Sequence, residues 1–185
     1  MNRSAADDLV FNVAGLLAEP AGSVRDFVVA VAPLDLGPDL RQLRDIEGEL
    51  RLTRTNRGLL VTGRLTTAIE QTCSRCLGEI EWPVEIELEE EALPSLDFIT
   101  GLPVDMADEP DALRLTDHHE LDLEGEVRDW IVLAEPIAPV CRDDCPGLCI
   151  ECGEELASGP HHHAGDEIDP RLETLRGFVE ASERD

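Results

Sequence analysis

The chain has 185 residues, enough for one domain with a small appended module, and a formal net charge of −26 in which all 15 basic residues are Arg. That charge argues against broad binding to phosphate backbones, which relies on Lys and Arg displacing counterions, and leaves basic proteins as the natural direct partners, or solubility alone. Hydrophobic residues make up 42% and aromatics only 3%, so the core must be aliphatic.

The opening stretch, MNRSAADDLVFNVAGLL, holds one Arg, two Asp and no small-residue cleavage site after an apolar run. No stretch approaches the roughly 20 apolar residues that span a bilayer. A cytoplasmic protein with no membrane partner is expected. Cysteines there stay reduced, and clustered pairs serve as metal ligands or catalytic thiols rather than disulfides.

Residues 9–31 hold two apolar runs, LVFNVAGLL and DFVVAVA, on either side of Glu19-Pro20-Ala21-Gly22, which predicts two strands and a turn. From Ile46 the pattern sharpens. Ile46, Leu50 and Leu52 alternate with Glu47, Glu49 and Arg51, TNRG at 55–58 signals a turn, and Val61, Leu65 and Ile69 resume the alternation. Ile80, Trp82, Val84, Ile86 and Leu88 then alternate with Glu79, Glu81, Glu85, Glu87 and Glu89. The result is a β-meander with one apolar and one acidic face, and CSRC (Cys73 to Cys76) stands where a turn should be.

Between 93 and 120 the pattern dissolves into a long acidic loop, in which His118 and His119 read as solvated. Order returns with DLEGEVRDWIVLAEP. Asp122 can cap a helix on which Leu123, Val127, Trp130, Ile131 and Ala134 share a face, with Glu124 and Arg128 four apart and Pro136 as the stop. In DPRLETLRGFVE, Asp169 and Pro170 open a last helix with an apolar stripe of Leu172, Leu175 and Val179. The expected fold is α+β: a mostly antiparallel β-meander sheet with two or three helices and a small zinc-binding module. The expected division is 1–140 as the core, with the acidic loop at about 93–120, 141–168 as a cysteine/histidine zinc module, and 169–185 as the C-terminal helix.

Four of the six cysteines fall within CRDDCPGLCIECG, residues 141–153. Two Cys spaced two apart on a tight turn offer both sulfurs to one tetrahedral ion, and two such pairs far apart in sequence are a strong metal signal. Cys73 and Cys76 make one pair, Cys149 and Cys152 another with Gly153 turning the chain behind it, and Cys141 with Cys145 adds a third. His161 and His163 follow closely. One allocation is two zinc ions, the first on Cys73, Cys76, Cys141 and Cys145 and the second on Cys149, Cys152, His161 and His163; the other is one zinc with spare thiols. Spacing does not choose between them, and the histidine run also reads as a polar loop. Arg75 and Arg142, beside the pairs, can offset thiolate charge or stand as ordinary surface residues. A redox role for Cys73 and Cys76 is disfavoured because no helix follows CSRC to lower a thiol pKa. Neither H-E-x-x-H nor a deaminase-type motif occurs, so the zinc reads as structural and no catalytic residue is assigned.

TCSRCL after a meander strand, then PIAPVCRDDCPGLCIECGEEL, then DPRLETL, resembles the YceD family, the large ribosomal RNA subunit accumulation proteins. The resemblance runs from about residue 10 to 180. Family members commonly carry two further Cys where His161 and His163 stand, which favours the two-site allocation, and some lack the downstream knuckle. The resemblance implies a non-enzymatic ribosome biogenesis factor supporting large-subunit rRNA accumulation and assembly. Its partner would be a large-subunit precursor or a basic ribosomal protein, and the acidic charge sits awkwardly with direct RNA binding. Two alternatives stand beside it: a zinc-stabilised acidic chaperone or adaptor for a basic protein, and a thiol redox protein using Cys73 and Cys76.

Overall fold

The computed structural model describes residues 3–6, 8–97, 100–104, 112–159 and 163. In chain order the elements are β1 (Arg3–Ala6), β2 (Val10–Asn12), α1 (Ala14–Leu17), β3 (Val24–Val31), β4 (Ile46–Arg54), β5 (Leu59–Thr72), β6 (Glu79–Pro94), β7 (Leu113–Leu115), β8 (Glu120–Asp122) and α2 (Glu124–Leu133), with a 3-10 turn at Leu156–Ser158. The described residues are thus mostly β-sheet with two α-helices. Cα packing divides the chain into two compact units, Met1–Ser74 with Gly78–Cys141, and Arg75–Leu77 with Arg142–Asp185.

The first unit is built on a six-stranded sheet in the order β1-β3-β4-β5-β6-β7, and β2 pairs with β8 separately. The β3-β4-β5-β6 run is antiparallel throughout, as alternation predicts, whereas the two outermost pairings, β1 with β3 and β6 with β7, are parallel. Period-two alternation puts one set of side chains on a single face. Ile46, Leu50 and Leu52 of β4, Leu59, Val61, Leu65 and Ile69 of β5, and Val84, Ile86 and Leu88 of β6 are all buried in one aliphatic cluster. Phe11 meets Phe27 edge-on at 5.0 Å between centroids, so two of the few aromatics are spent against each other. No helix among the described residues is long and apolar enough to cross a membrane.

Three local expectations are corrected. The run Leu9–Leu17 is not one strand: Val10–Asn12 pair with β8, and the chain then turns into α1, so that Val13, Leu16 and Leu17 are buried at helical spacing. The cap of α2 is Leu123 rather than Asp122, although Asp122 Oδ1 still accepts the Glu124 N–H at 2.9 Å from one residue earlier. Leu123, Val127 and Ile131, four apart, form the buried stripe, and Trp130, at its margin, is 40% exposed. Within 93–120 the structure places β7, and His118 and His119 lie in the turn from β7 to β8, with His119 at φ 58°. The helix expected at 169–185 lies outside the described residues.

A buried amide ties the 34–44 connection to the sheet. Gln42, 7% exposed, donates from Nε2 to the Arg44 carbonyl and to Thr67 Oγ1, both at 2.8 Å, and its Oε1 accepts the Leu34 N–H at 3.0 Å. Thr67 Oγ1 itself donates to the Arg44 carbonyl at 2.8 Å, so Gln42→Ala leaves chiefly the Leu34 N–H without its acceptor; the change is expected to cost about 2 kcal/mol, read as a lower urea midpoint with unchanged slope. Glu126, in the first turn of α2, has its carboxyl pKa raised by partial burial and by Glu90 and Asp129. The folded chain therefore holds that proton more tightly than the unfolded chain, so this group's contribution to stability falls as pH rises from the unfolded value through the raised folded one. Glu126→Gln should raise the melting temperature slightly at pH 7 and leave it unchanged at pH 3.

Candidate metal centre

The sheet positions the first cysteine pair. β5 ends at Thr72, and Cys73 follows with its N–H on the Gly78 carbonyl at 2.8 Å, closing a tight knuckle before β6. In the same unit the Ser74 N–H donates to the Pro139 carbonyl at 2.8 Å, and the Cys141 N–H donates to the Cys73 sulfur at 3.4 Å. Cys73 is fully buried. Leu77, not a glycine, takes the left-handed backbone of this knuckle at φ 60°.

The second unit folds around 142–159. Arg75 Nη1 donates to the carbonyls of Asp143 and Cys145, at 2.9 and 3.1 Å, so its guanidinium clamps backbone. Arg142 is paired with Asp144 at 3.2 Å. Gly147, at φ 80°, brings its Cα beside the Arg75 carbonyl. Cys149 opens the second knuckle, donating its N–H to the Glu154 carbonyl at 2.8 Å and accepting the Gly153 N–H at 2.9 Å. Gly153 stands at φ 75°, the positive φ expected behind the second cysteine.

Two donor groups result. The sulfurs of Cys73, Cys76, Cys141 and Cys145 all lie within 4.8 Å of one another, and Cys149, Cys152 and His163 form a second group on the same criterion. None of the six cysteines, all among the described residues, is joined in a disulfide. A tetrahedral ion with metal–sulfur bonds near 2.3 Å needs its sulfurs about 3.8 Å apart, so the four-sulfur group fits such an ion with small adjustment. Either group can hold a metal. His161 lies outside the described residues.

In the second group His163 Nε2 is 3.2 Å from Cys149 Sγ, and its Nδ1 is 3.3 Å from Glu151 Oε2. The carboxylate thereby fixes the ring so that Nε2 faces the sulfurs, the arrangement by which outer carboxylates orient metal-binding histidines. Glu151 was missed by spacing alone; its position inside the C-x-x-C was the available signal. The Glu154 backbone favours the Cys152 thiolate, but removal from water and the adjacent Cys149 outweigh it and push the Cys152 thiol above its ordinary pKa. A bound cation would displace that proton.

A mostly antiparallel sheet with one cysteine knuckle between β5 and β6, and further cysteines in the second unit, able together to hold metal, defines the class. The family described as "Large ribosomal RNA subunit accumulation protein YceD" matches residues 61–179, and the chain belongs to the YceD family. It is similar to uncharacterised proteins of Mycobacterium bovis and Mycobacterium tuberculosis, each 31% identical over 176 residues, covering 94% of this chain and 82% of the relative. An uncharacterised protein of Mycobacterium leprae is 34% identical over 122 residues, covering 66% of this chain and 54% of the relative. No solved structure matches.

Proposed function

We propose that this chain is a non-enzymatic, cytoplasmic ribosome biogenesis factor that supports accumulation of large-subunit rRNA, with structural zinc in its cysteine groups. The observation that carries the reading is membership of a family described by large ribosomal RNA subunit accumulation. In this reading Cys73, Cys76, Cys141 and Cys145 hold one zinc, and Cys149, Cys152 and His163 hold a second, completed by His161. Zinc supplies folding energy to short loops that bury little apolar surface. Residues 1–140 serve as the α+β core and 141–168 as the zinc module.

The partner is a large-subunit precursor, engaged through a basic ribosomal protein rather than through bare RNA, because the net charge of −26 opposes phosphate. Complete burial of Cys73 argues against the thiol redox alternative, since exchange requires access to the sulfur. Sedimentation of host lysate tests the reading. The chain should comigrate with large-subunit precursors and leave them on ribonuclease treatment. Retention at the top of the gradient in gentle salt, with a free basic protein as its companion, would instead favour the adaptor reading.

A further inference from the structure

We infer that the free edge of β6 is a docking site for an extended basic segment of a partner protein, which adds to the sheet as an antiparallel strand with Lys or Arg at every second position. The backbone register carries this. The Leu43 N–H donates to the Ala68 carbonyl and the Glu70 N–H to the Arg41 carbonyl, both at 2.8 Å, so even-numbered residues of β5 turn their polar groups away from β6. Within a strand the N–H and C=O of one residue share a side and those of its neighbours take the other. Odd-numbered residues of β5 therefore face β6, where their partners are even-numbered: Thr67 with Val84, Ile69 with Trp82, Gln71 with Ile80. The odd-numbered residues of β6 turn their N–H and C=O to the opposite side. Among the described residues the only strand there is β7, which reaches only Ala92, Leu93 and Pro94.

That free side has a consistent composition. Its backbone donors belong to Glu79, Glu81, Glu85, Glu87 and Glu89, all exposed, with the partly exposed Glu91 at its end. Pro83 falls on the same side, where a missing N–H removes no existing ladder bond. Arg44 and Arg64 pair with Glu81 and Glu87, and Arg64 also attracts Glu85, while Glu79 and Glu89 form no ion pair among the described residues. Open strand edges recruit further strands, and charge selects which. A second copy would set glutamate opposite glutamate, which is destabilising. A strand with basic residues two apart repeats at about 6.8 Å, in step with the glutamates, and each basic side chain falls opposite one of them on the same face.

This deepens the partner part of the ribosomal reading but is tested on the purified chain alone, so either can fail without the other. The probe is a fluorescent eleven-residue peptide alternating Lys and Val, against one of identical composition with its lysines in a single block, measured by anisotropy in 150 mM salt. The alternating peptide should bind at least tenfold more tightly. N-methylation of its lysine amides, which face β6, should abolish binding; N-methylation of its valine amides, which face away, should not. Glu85→Gln with Glu89→Gln, on the surface and neutral to folding, should weaken binding severalfold. Equal binding of the two peptides, indifference to the position of methylation, or a dimer of the chain at neutral pH would each overturn the inference.

Discussion

Replacing Cys73 by serine is expected to remove one equivalent of metal from the chain as purified without a histidine-affinity step, and to lower its melting temperature by roughly 8–16 °C. Cys73 is fully buried at the end of β5, with the Cys141 N–H on its sulfur and the sulfurs of Cys76, Cys141 and Cys145 within 4.8 Å. A serine hydroxyl is a poor ligand there and leaves three thiols without the cation that neutralises them. A ligand at a thousand times its dissociation constant contributes about 4 kcal/mol, and at 2–4 °C per kcal/mol for a chain of this length the shift follows. Cys149→Ser should also lose one equivalent by elemental analysis. Its group is half-buried to exposed and draws on residues of the second unit only, so the main unfolding transition of the sheet should move by far less. Unchanged metal content and melting temperature in Cys73→Ser would show that the four-sulfur group holds no ion.

The parts of the fold that were legible in the sequence share a cause. β4, β5 and β6 are long, and their apolar residues repeat every second position against charged neighbours, a pattern only a strand with one buried face satisfies. Leu9–Leu17 misleads because nine residues cannot separate a strand from a helical turn; the outcome is set by tertiary burial of Leu16 and Leu17. The parallel pairings of β1 and β7 were illegible because strands of four and three residues carry no period of their own. At the metal centre the spacing gave the ligand types and two allocations, one of them the grouping of Cys73 and Cys76 with Cys141 and Cys145, but it could not bring those sulfurs together; that needed the chain folded. Gln42 was invisible for the same reason: an isolated polar residue shows its role only through what surrounds it.

Gly48→Val provides the sharpest test of how closely β4 and β5 approach, because two principles give opposite signs for it. By strand propensity, valine in place of a glycine in the interior of β4 should stabilise the chain by up to about 1 kcal/mol. By geometry it should not: a Cβ on residue 48 would lie 2.1 Å from the Arg64 carbonyl oxygen and 2.9 Å from Leu65 Cα, both backbone atoms that cannot rotate aside. Gly63, on the facing strand, is equally confined, with a Cβ there 2.4 Å from the Glu49 oxygen. The strands cross tightly at two positions that lack side chains, and relief requires parting a ladder whose Leu50 and Leu65 are both in the core. Overpacking of this kind costs on the order of 3 kcal/mol, which outweighs propensity and predicts a melting temperature lower by roughly 6–12 °C. Gly125, in α2, has nothing within 4 Å of its would-be Cβ. Gly125→Ala should therefore follow propensity alone and stabilise by about 0.5–1 kcal/mol. A Gly48→Val chain as stable as its parent would mean that the backbones do not meet as described, and the register that carries Leu50, Leu65 and the acidic face of β6 would have to be redrawn.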